Sequence, residues 1–163
     1  MAEHSSDSRS LNDLEGFRST FIELAEESRR ELFIFSESLA HPLYHHRAVA
    51  EALSAFARSS RFAVVRILVR DTEPMLRRFH RLRELTQRLS SRIELRRIQA
   101  TVDTPDWEFA IADGRRVLFC DDRQQWRGVY RPDDPARAAK LGDTFRQDWS
   151  LATADPNLRR LQL

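Results

Sequence analysis

The segment FAVVRILVRD, residues 62–71, constrains the fold more than any other part of the chain. It is a short apolar run rich in β-branched residues that ends in an acid, a pattern typical of a strand buried in a parallel sheet. A second run, ELFIFSES at residues 31–38, precedes it, and an amphipathic helical pattern over residues 46–59 separates the two. Parallel neighbours need a crossover connection, so the sequence predicts a right-handed β-α-β unit.

Further elements extend this unit on both sides. Residues 10–30 predict a helix capped by Ser10, with Asp13 three residues further on. The segment RIELRRI at residues 92–98 predicts a half-buried or edge strand. A third helix before it carries an apolar stripe at helical spacing, formed by Leu76, Phe79, Leu82, Leu85 and Leu89.

The final part of the chain predicts a hairpin and a closing helix. PDWEFAIADGRRVLFCDDR at residues 105–123 contains two apolar strands around an Asp113-Gly114 turn. A short strand or loop covers residues 126–130, and the last helix has Asp134 as its N-cap and Pro135 at its first position. The predicted class is α/β, with a mixed, mostly parallel sheet flanked by helices on both faces.

Length and composition favour one domain. A chain of 163 residues can bury a core of its own. We predict a disordered lead-in at residues 1–9, a single domain at 10–152 and a tail at 153–163. No apolar run has the ~20 residues that span a membrane, and the polar N-terminus does not resemble a secretory signal. Cys120 is the only cysteine, which fits a reducing cytoplasm.

The hairpin resembles the catalytic segment of the phospholipase D-like family, His-x-Lys-x4-Asp followed by Gly-Ser-x-Asn. With Asp113 as the motif aspartate, Asp106 stands at the histidine position and Glu108 at the lysine position. Cys120, Asp121 and Arg123 stand at the glycine, serine and asparagine positions. The resemblance implies one half of the phospholipase D fold, extending from the first helix through Trp149.

The resemblance also predicts that this chemistry is absent. It needs an imidazole to attack phosphorus and a cation to hold phosphate oxygens, whereas two carboxylates repel a phosphate. The chain is similar to a group of small uncharacterised bacterial proteins with degenerate domains of this kind, through RRELFIFSESL, VRILVRDTEP, HRLRELTQRLSSRIELR and DPARAAKLGDTFRQDWS. The leading hypothesis is an inactive binding or scaffolding module in the bacterial cytoplasm. Active relatives join two motif halves, so a homodimer is predicted, and no cofactor is.

The third hypothesis, after polyanion binding, is a metal-dependent phosphodiesterase, with Asp106, Glu108 and Asp113 gathering a magnesium ion. Strand alternation places Asp113 on the face opposite Asp106 and Glu108 unless the turn redirects it. His80, on the third helix, is either a boundary residue with a capping or hydrogen-bonding role or a local substitute for the missing catalytic histidine.

Polar residues after the first two strands form a candidate ligand site, because open α/β sheets bind ligands at the carboxyl ends of their strands. Arg70 and Asp71 either pair with each other or hold a polar ligand. The full set is Ser36, Glu37, His41, His45, His46, Arg70 and Asp71.

The second hypothesis is binding of nucleic acid or another phosphate-containing polyanion. The net charge is only +2, but Lys140 is the sole lysine and arginine supplies the other 26 of the 27 basic residues (27 − 1). Guanidinium groups suit phosphate recognition, whereas a solvated arginine-rich surface explains the same composition without a ligand. The candidate residues are Arg77, Arg78, Arg81, Arg96, Arg97, Arg115 and Arg116.

Overall fold

The computed structural model describes residues 8–154, which form one seven-stranded sheet with six helices. The strands are β1 (Arg9–Leu11), β2 (Glu31–Ser36), β3 (Val64–Val69), β4 (Ile93–Arg97), β5 (Glu108–Ala112), β6 (Arg116–Asp122) and β7 (Arg127–Arg131). The helices are α1 (Leu14–Glu27), α2 (His41–Tyr44), α3 (Arg47–Arg58), α4 (Glu73–Arg77), α5 (Arg81–Arg88) and α6 (Pro135–Leu151).

The sheet order is β1-β7-β6-β5-β2-β3-β4. Strands β2, β3 and β4 are parallel, as the β-α-β pattern predicts. The other four pairings are antiparallel, so the predicted mostly parallel sheet is wrong in its balance. The cause is the compact meander β5-β6-β7, whose short turns allow only antiparallel neighbours.

Helices cover both faces of the sheet, which confirms the predicted class. Along β2, Leu32 and Ile34 point into the core beneath α1–α5, while Phe33 and Phe35 point toward α6. This alternation follows from the two-residue period of a strand. On the α6 side the Phe33 and Phe145 rings stack with centroids 4.6 Å apart.

The N-terminal boundaries differ from the prediction. Helix α1 begins at Leu14, because Asp13 is its N-cap and accepts a hydrogen bond from the Gly16 amide at 2.7 Å. Residues 9–11 form β1 instead of helix and pair with β7, so Ser10 caps nothing. Residues 1–7 of the predicted lead-in, and 155–163 of the predicted tail, lie outside the described residues. Thr153 pairs with Arg97 beside β4.

The predicted third helix is two helices. Helix α4 ends at Arg77, Arg78 is extended, and α5 begins at Arg81 with His80 as its N-cap. The break removes Phe79 from the apolar stripe and leaves it 54% exposed. At the other end, α6 begins at Pro135 with the Asp134 carboxylate accepting from the Arg137 amide at 3.1 Å, as predicted.

Candidate functional site

The carboxyl ends of β2 and β3 and the start of β5 meet at one edge of the sheet. Glu108, at the start of β5, is 3% exposed, and its Oε1 accepts a hydrogen bond from the Glu37 backbone amide at 3.0 Å. The Ser36 hydroxyl accepts from the Leu39 amide at 3.0 Å. The predicted residues Ser36, Glu37 and Glu108 therefore lie together, tied by the turn that follows β2.

Burial governs the electrostatics around Glu108. It raises the pKa of the Glu108 carboxyl, against the opposing effects of the Glu37 amide, the Ser36 hydroxyl, Arg123 and Tyr44. Oε2 of Glu108 has no hydrogen-bond partner. Burial also raises the pKa of the Tyr44 phenol well above its ordinary value.

The Cys120 thiol belongs to the same buried group. Burial, followed by the charge of Glu108, raises its pKa to about 11, which suppresses formation of the reactive thiolate. A cavity of about 10 Å³ lies between Tyr44, Glu108 and Cys120. This volume is at the lower limit for one water molecule, and the raised pKa of Cys120 favours the protonated, less nucleophilic thiol.

Above Glu108 the charged side chains are paired. Both carboxylate oxygens of Asp106 contact the Arg123 guanidinium, at 3.0 and 3.2 Å. This fork-shaped pair lowers the pKa of Asp106, whose side chain is 65% exposed. Arg70 contacts Glu37 at 3.3 Å, and its Nη1 donates to the carbonyl oxygens of residues 104 and 105 at 3.3 and 3.0 Å.

The proposed Arg70–Asp71 pairing is therefore replaced by Arg70–Glu37. The Asp71 carboxylate instead accepts from the Glu73 amide at 3.1 Å, at the start of α4. Glu37, in the turn after β2, pairs with the Arg70 guanidinium, whereas the Asp71 carboxylate is hydrogen-bonded to the first turn of α4. The ligand site predicted at the two strand ends is thus divided between an ion pair and a helix start.

Asp113 lies at the opposite end of β5 from Glu108, roughly 16 Å away at ~3.3 Å per residue. Its carboxylate accepts hydrogen bonds from the Arg29, Arg30 and Glu31 amides at 2.9, 2.8 and 3.1 Å. Its φ of 55° makes it part of the β5–β6 turn. The acids predicted to gather magnesium do not meet, and residues 8–154 contain no group of three or more His, Cys, Asp or Glu side chains arranged to hold a metal.

Three histidines do converge. The ring centroids of His41 and His80 are 4.6 Å apart, those of His41 and His45 are 5.1 Å apart, and those of His45 and His80 are 5.7 Å apart. His46 stands apart as the N-cap of α3, accepting from the Ala48 amide at 3.3 Å. Sequence reasoning treated His80 separately, because a continuous third helix hides the junction that turns it toward α2.

His80 is structural. It is 1% exposed, its Nε2 donates to the Leu39 carbonyl at 2.8 Å, and its Nδ1 accepts from the Leu82 amide at 3.2 Å. Burial, opposed by the Leu39 bond, lowers its pKa to about 4. Both ring nitrogens are engaged, so His80 is not placed to act as a nucleophile.

Most of the predicted arginine surface is paired within the chain. Arg77 contacts Glu73 at 3.4 Å, Arg115 contacts Asp133 at 3.2 Å, and Arg116 contacts Glu27 at 2.7 Å. Arg96 contacts Glu94 at 2.9 Å and lies 4.3 Å from the Trp149 ring centre. Arg97 joins Thr153 through its backbone, whereas the Arg78 charge acts on all three clustered histidines.

An arginine-rich groove that sequence reasoning missed lies between α3 and α5. Its volume is about 270 Å³, and it is lined by Arg47, Ala50, Glu51, Ser54, Arg58, Arg81, Glu84, Leu85 and Arg88. Of these, Arg81 is the only member of the predicted surface. Side chains one helical turn apart share a helix face. The segment RAVAEALSAFAR therefore places Arg47, Glu51, Ser54 and Arg58 along one side of α3. Their proximity to the arginines of α5 is not visible when each helix is considered separately.

Solved structures with the same fold include three proteins of low sequence identity to this chain. Nuc from Salmonella typhimurium, a phospholipase D family member, has a TM-score of 0.64 at 11% identity over 90% of this chain and 95% of its own. NucT from Helicobacter pylori has a TM-score of 0.60 at 12% identity over 91% and 99%. TrmBL2, an archaeal chromatin protein with a novel mode of DNA binding, has a TM-score of 0.66 at 15% identity over 90% and 53%.

The class is therefore an α/β domain with the phospholipase D fold, and the chain spans about half the length of the archaeal protein. A search of curated proteins finds no match. The chain belongs to the family described as domain of unknown function DUF7931, whose model matches residues 13–161. Within residues 8–154, no helix is both long and apolar enough to cross a membrane.

Proposed function

We propose that this chain is a catalytically inactive phospholipase D-like domain that acts as a binding module. One observation carries the proposal: at the strand ends, the residues aligned with the family motif neutralise one another or are buried. Asp106 forms a two-pronged pair with Arg123, and Glu108 is enclosed beneath the Glu37 amide. Asp113 is occupied by three backbone amides at the far end of β5.

Each of these features disfavours phosphodiester cleavage. No imidazole stands where the resemblance puts the nucleophile, and a carboxylate stands where it puts the phosphate-binding cation. The cations present, Arg123 and Arg70, already contact Asp106 and Glu37. A phosphate would have to displace the carboxylate from the guanidinium, although a carboxylate binds a guanidinium favourably through both of its oxygens.

A hydrolysis assay tests this proposal. The substrates are bis(p-nitrophenyl) phosphate and labelled DNA, each with a chelator and then with magnesium, manganese or zinc. We expect no turnover above the rate without protein. Turnover that Asp106→Asn or Glu108→Gln abolishes, while Asp121→Asn retains it, would overturn the proposal. Calorimetric titration with the same three metals tests for a cofactor independently.

Binding of a polyanion is the second candidate function, and the α3–α5 groove favours it. Four arginines and two glutamates line the groove, an excess of two positive charges (4 − 2). The DNA binding stated for the archaeal chromatin protein of the same fold adds support. A gel shift at low and moderate salt is the test, since phosphate contacts make affinity strongly salt-dependent. Absence of binding at low salt would remove this candidate.

We also infer a homodimer in the bacterial cytoplasm. The chain corresponds to one motif half of a fold whose active members join two halves, and its single cysteine is buried and unpaired. Sedimentation equilibrium tests the dimer, and a monomer alone at high concentration would contradict it. Fractionation of cells that carry the tagged chain tests the compartment.

A further inference from the structure

Two short junctions pack against each other beside the α3–α5 groove. One joins α2 to α3 and contains His45, and the other joins α4 to α5 and contains Phe79. The Arg81 backbone amide donates to Nδ1 of His45 at 3.1 Å. The Phe79 ring meets the His45 ring edge to face, with centroids 5.6 Å apart. These contacts make one surface of the two junctions.

Phe79 is the exposed aromatic residue of this surface. Its side chain is 54% exposed, although it stands in a helical pattern where sequence predicts burial. The buried His80 ring fixes the junction next to it through the Leu39 carbonyl and the Leu82 amide. The backbone that carries Phe79 is therefore held in place, and Arg78 immediately precedes it. The His41 and His45 rings both contact the buried His80 ring.

The groove continues this surface through Arg81. Arg81 lines the groove with its side chain and holds His45 with its backbone. Arg47 contacts Glu51 at 3.6 Å and Arg88 contacts Glu84 at 3.4 Å, both exposed pairs that water and salt screen readily. The surface therefore combines an exposed ring with adjacent, weakly paired guanidinium groups.

We propose that this surface binds single-stranded nucleic acid, with backbone phosphates in the α3–α5 groove and an unpaired base stacked on Phe79. The proposal rests on the polyanion-binding candidate above and assigns its site and ligand class. Single strands bind where a positive groove tracks the backbone and aromatic rings receive the bases. A duplex keeps its bases stacked on one another, so Phe79 adds nothing to duplex binding.

The test is fluorescence anisotropy with labelled ten-nucleotide single strands of DNA and RNA, and with a duplex of the same length. Phe79→Ala is compared with Phe62→Ala, which removes another exposed ring, 69% exposed and beside Arg61, from a different part of the surface. We expect Phe79→Ala to weaken single-strand binding about tenfold or more, because one base–aromatic stack is lost. The single-strand affinity of Phe62→Ala should remain within about twofold of wild type, and so should the duplex affinity of either variant.

The groove is tested with Arg47→Ala/Arg81→Ala against Arg9→Ala/Arg146→Ala, which removes two exposed, paired arginines on β1 and α6. The first variant reduces the slope of log affinity against log salt by about 1.4, at ~0.7 for each phosphate contact with a single strand. The control leaves the slope unchanged. Circular dichroism confirms that each variant is folded.

The outcomes are separable. Binding that neither Phe79→Ala nor the groove variant weakens would overturn this site while leaving polyanion binding in place. Equal loss of duplex and single-strand binding in Phe79→Ala would overturn the stacking role. Absence of binding at low salt would remove both this proposal and the polyanion candidate. The inactive-domain proposal depends on the hydrolysis assay alone and survives all three results.

Discussion

Replacement of Asp113 by alanine separates a structural aspartate from a catalytic one. Asp113 accepts three hydrogen bonds, from the Arg29, Arg30 and Glu31 amides. Two of these amides are exposed and can turn to water, whereas the third is half-buried. By comparison with side-chain caps of helix ends, losing this carboxylate costs about 1–2 kcal/mol. Alanine at φ 55° adds about 1–2 kcal/mol, because its Cβ crowds the following carbonyl.

The sum, about 2–4 kcal/mol, corresponds to a fall in melting temperature of roughly 4–16 °C for a domain of this size. Asp113→Asn is the matched control, because asparagine keeps one acceptor oxygen and suits the turn before Gly114. We expect Asn to cost less than half as much as Ala in urea and thermal unfolding at pH 7. Equal stability of Asp113→Ala and wild type would refute the structural role. So would a phosphodiesterase activity in the wild type that Asp113→Asn removes without loss of stability.

Three further predictions concern other titratable groups. Burial raises the Glu108 pKa in the folded state, so its ionisation opposes folding as pH rises above the ordinary value of 4.5. Glu108→Gln should increase the unfolding free energy at pH 8 by about 1.4 kcal/mol per unit of pKa elevation. This gain should vanish below pH 4.5. An equal gain in unfolding free energy at pH 8 and below pH 4.5 contradicts this prediction. Burial first, and then neighbouring positive groups, lower the pKa of His41 and His45; these groups are Arg78 for His41, and His41, Arg81 and Arg78 for His45. A bound phosphate favours the protonated rings, so single-strand affinity measured at constant salt should rise from pH 7.5 to 5.5. His41→Gln/His45→Gln should flatten that rise, and a wild-type affinity that does not change with pH is the contrary result. His80→Asn, which keeps only a short cap, should destabilise the domain at pH 7 by about 1–3 kcal/mol through its vacated buried site, and an unchanged urea midpoint would exclude the anchoring role.

The strands and the α/β class were predictable because their signals are local. Strand β2 is buried on both faces after Glu31, and a strand buried in this way must be apolar. Strand β3 shows the same pattern from Ile67 to Val69, although Val64 is exposed and Arg66 is half-buried. The direction of pairing was less accessible. Strand β1 has only three residues, too few to show a period, and it joins β7 from the far end of the chain.

The candidate site depended on contacts between distant segments, which a single sequence does not contain. The alternation of strand residues placed Asp106 and Glu108 on one face, but it could not show that one pairs with Arg123 while the other is buried. The break at residues 78–80 also had no Gly or Pro to announce it. The tertiary contact of His80 with Leu39 overrides helix propensity there, and this contact brings the histidines together and exposes Phe79.

A single experiment can follow both binding and cleavage of the same nucleic-acid strands. A nucleic-acid single strand labelled at both ends is incubated with saturating protein, in one sample with magnesium and in another with a chelator. Anisotropy then gives the bound fraction, and a denaturing gel gives the strand length. We expect that the strand is bound and remains at full length in both conditions. Shortened strands whose formation Asp106→Asn or Glu108→Gln prevents would contradict it.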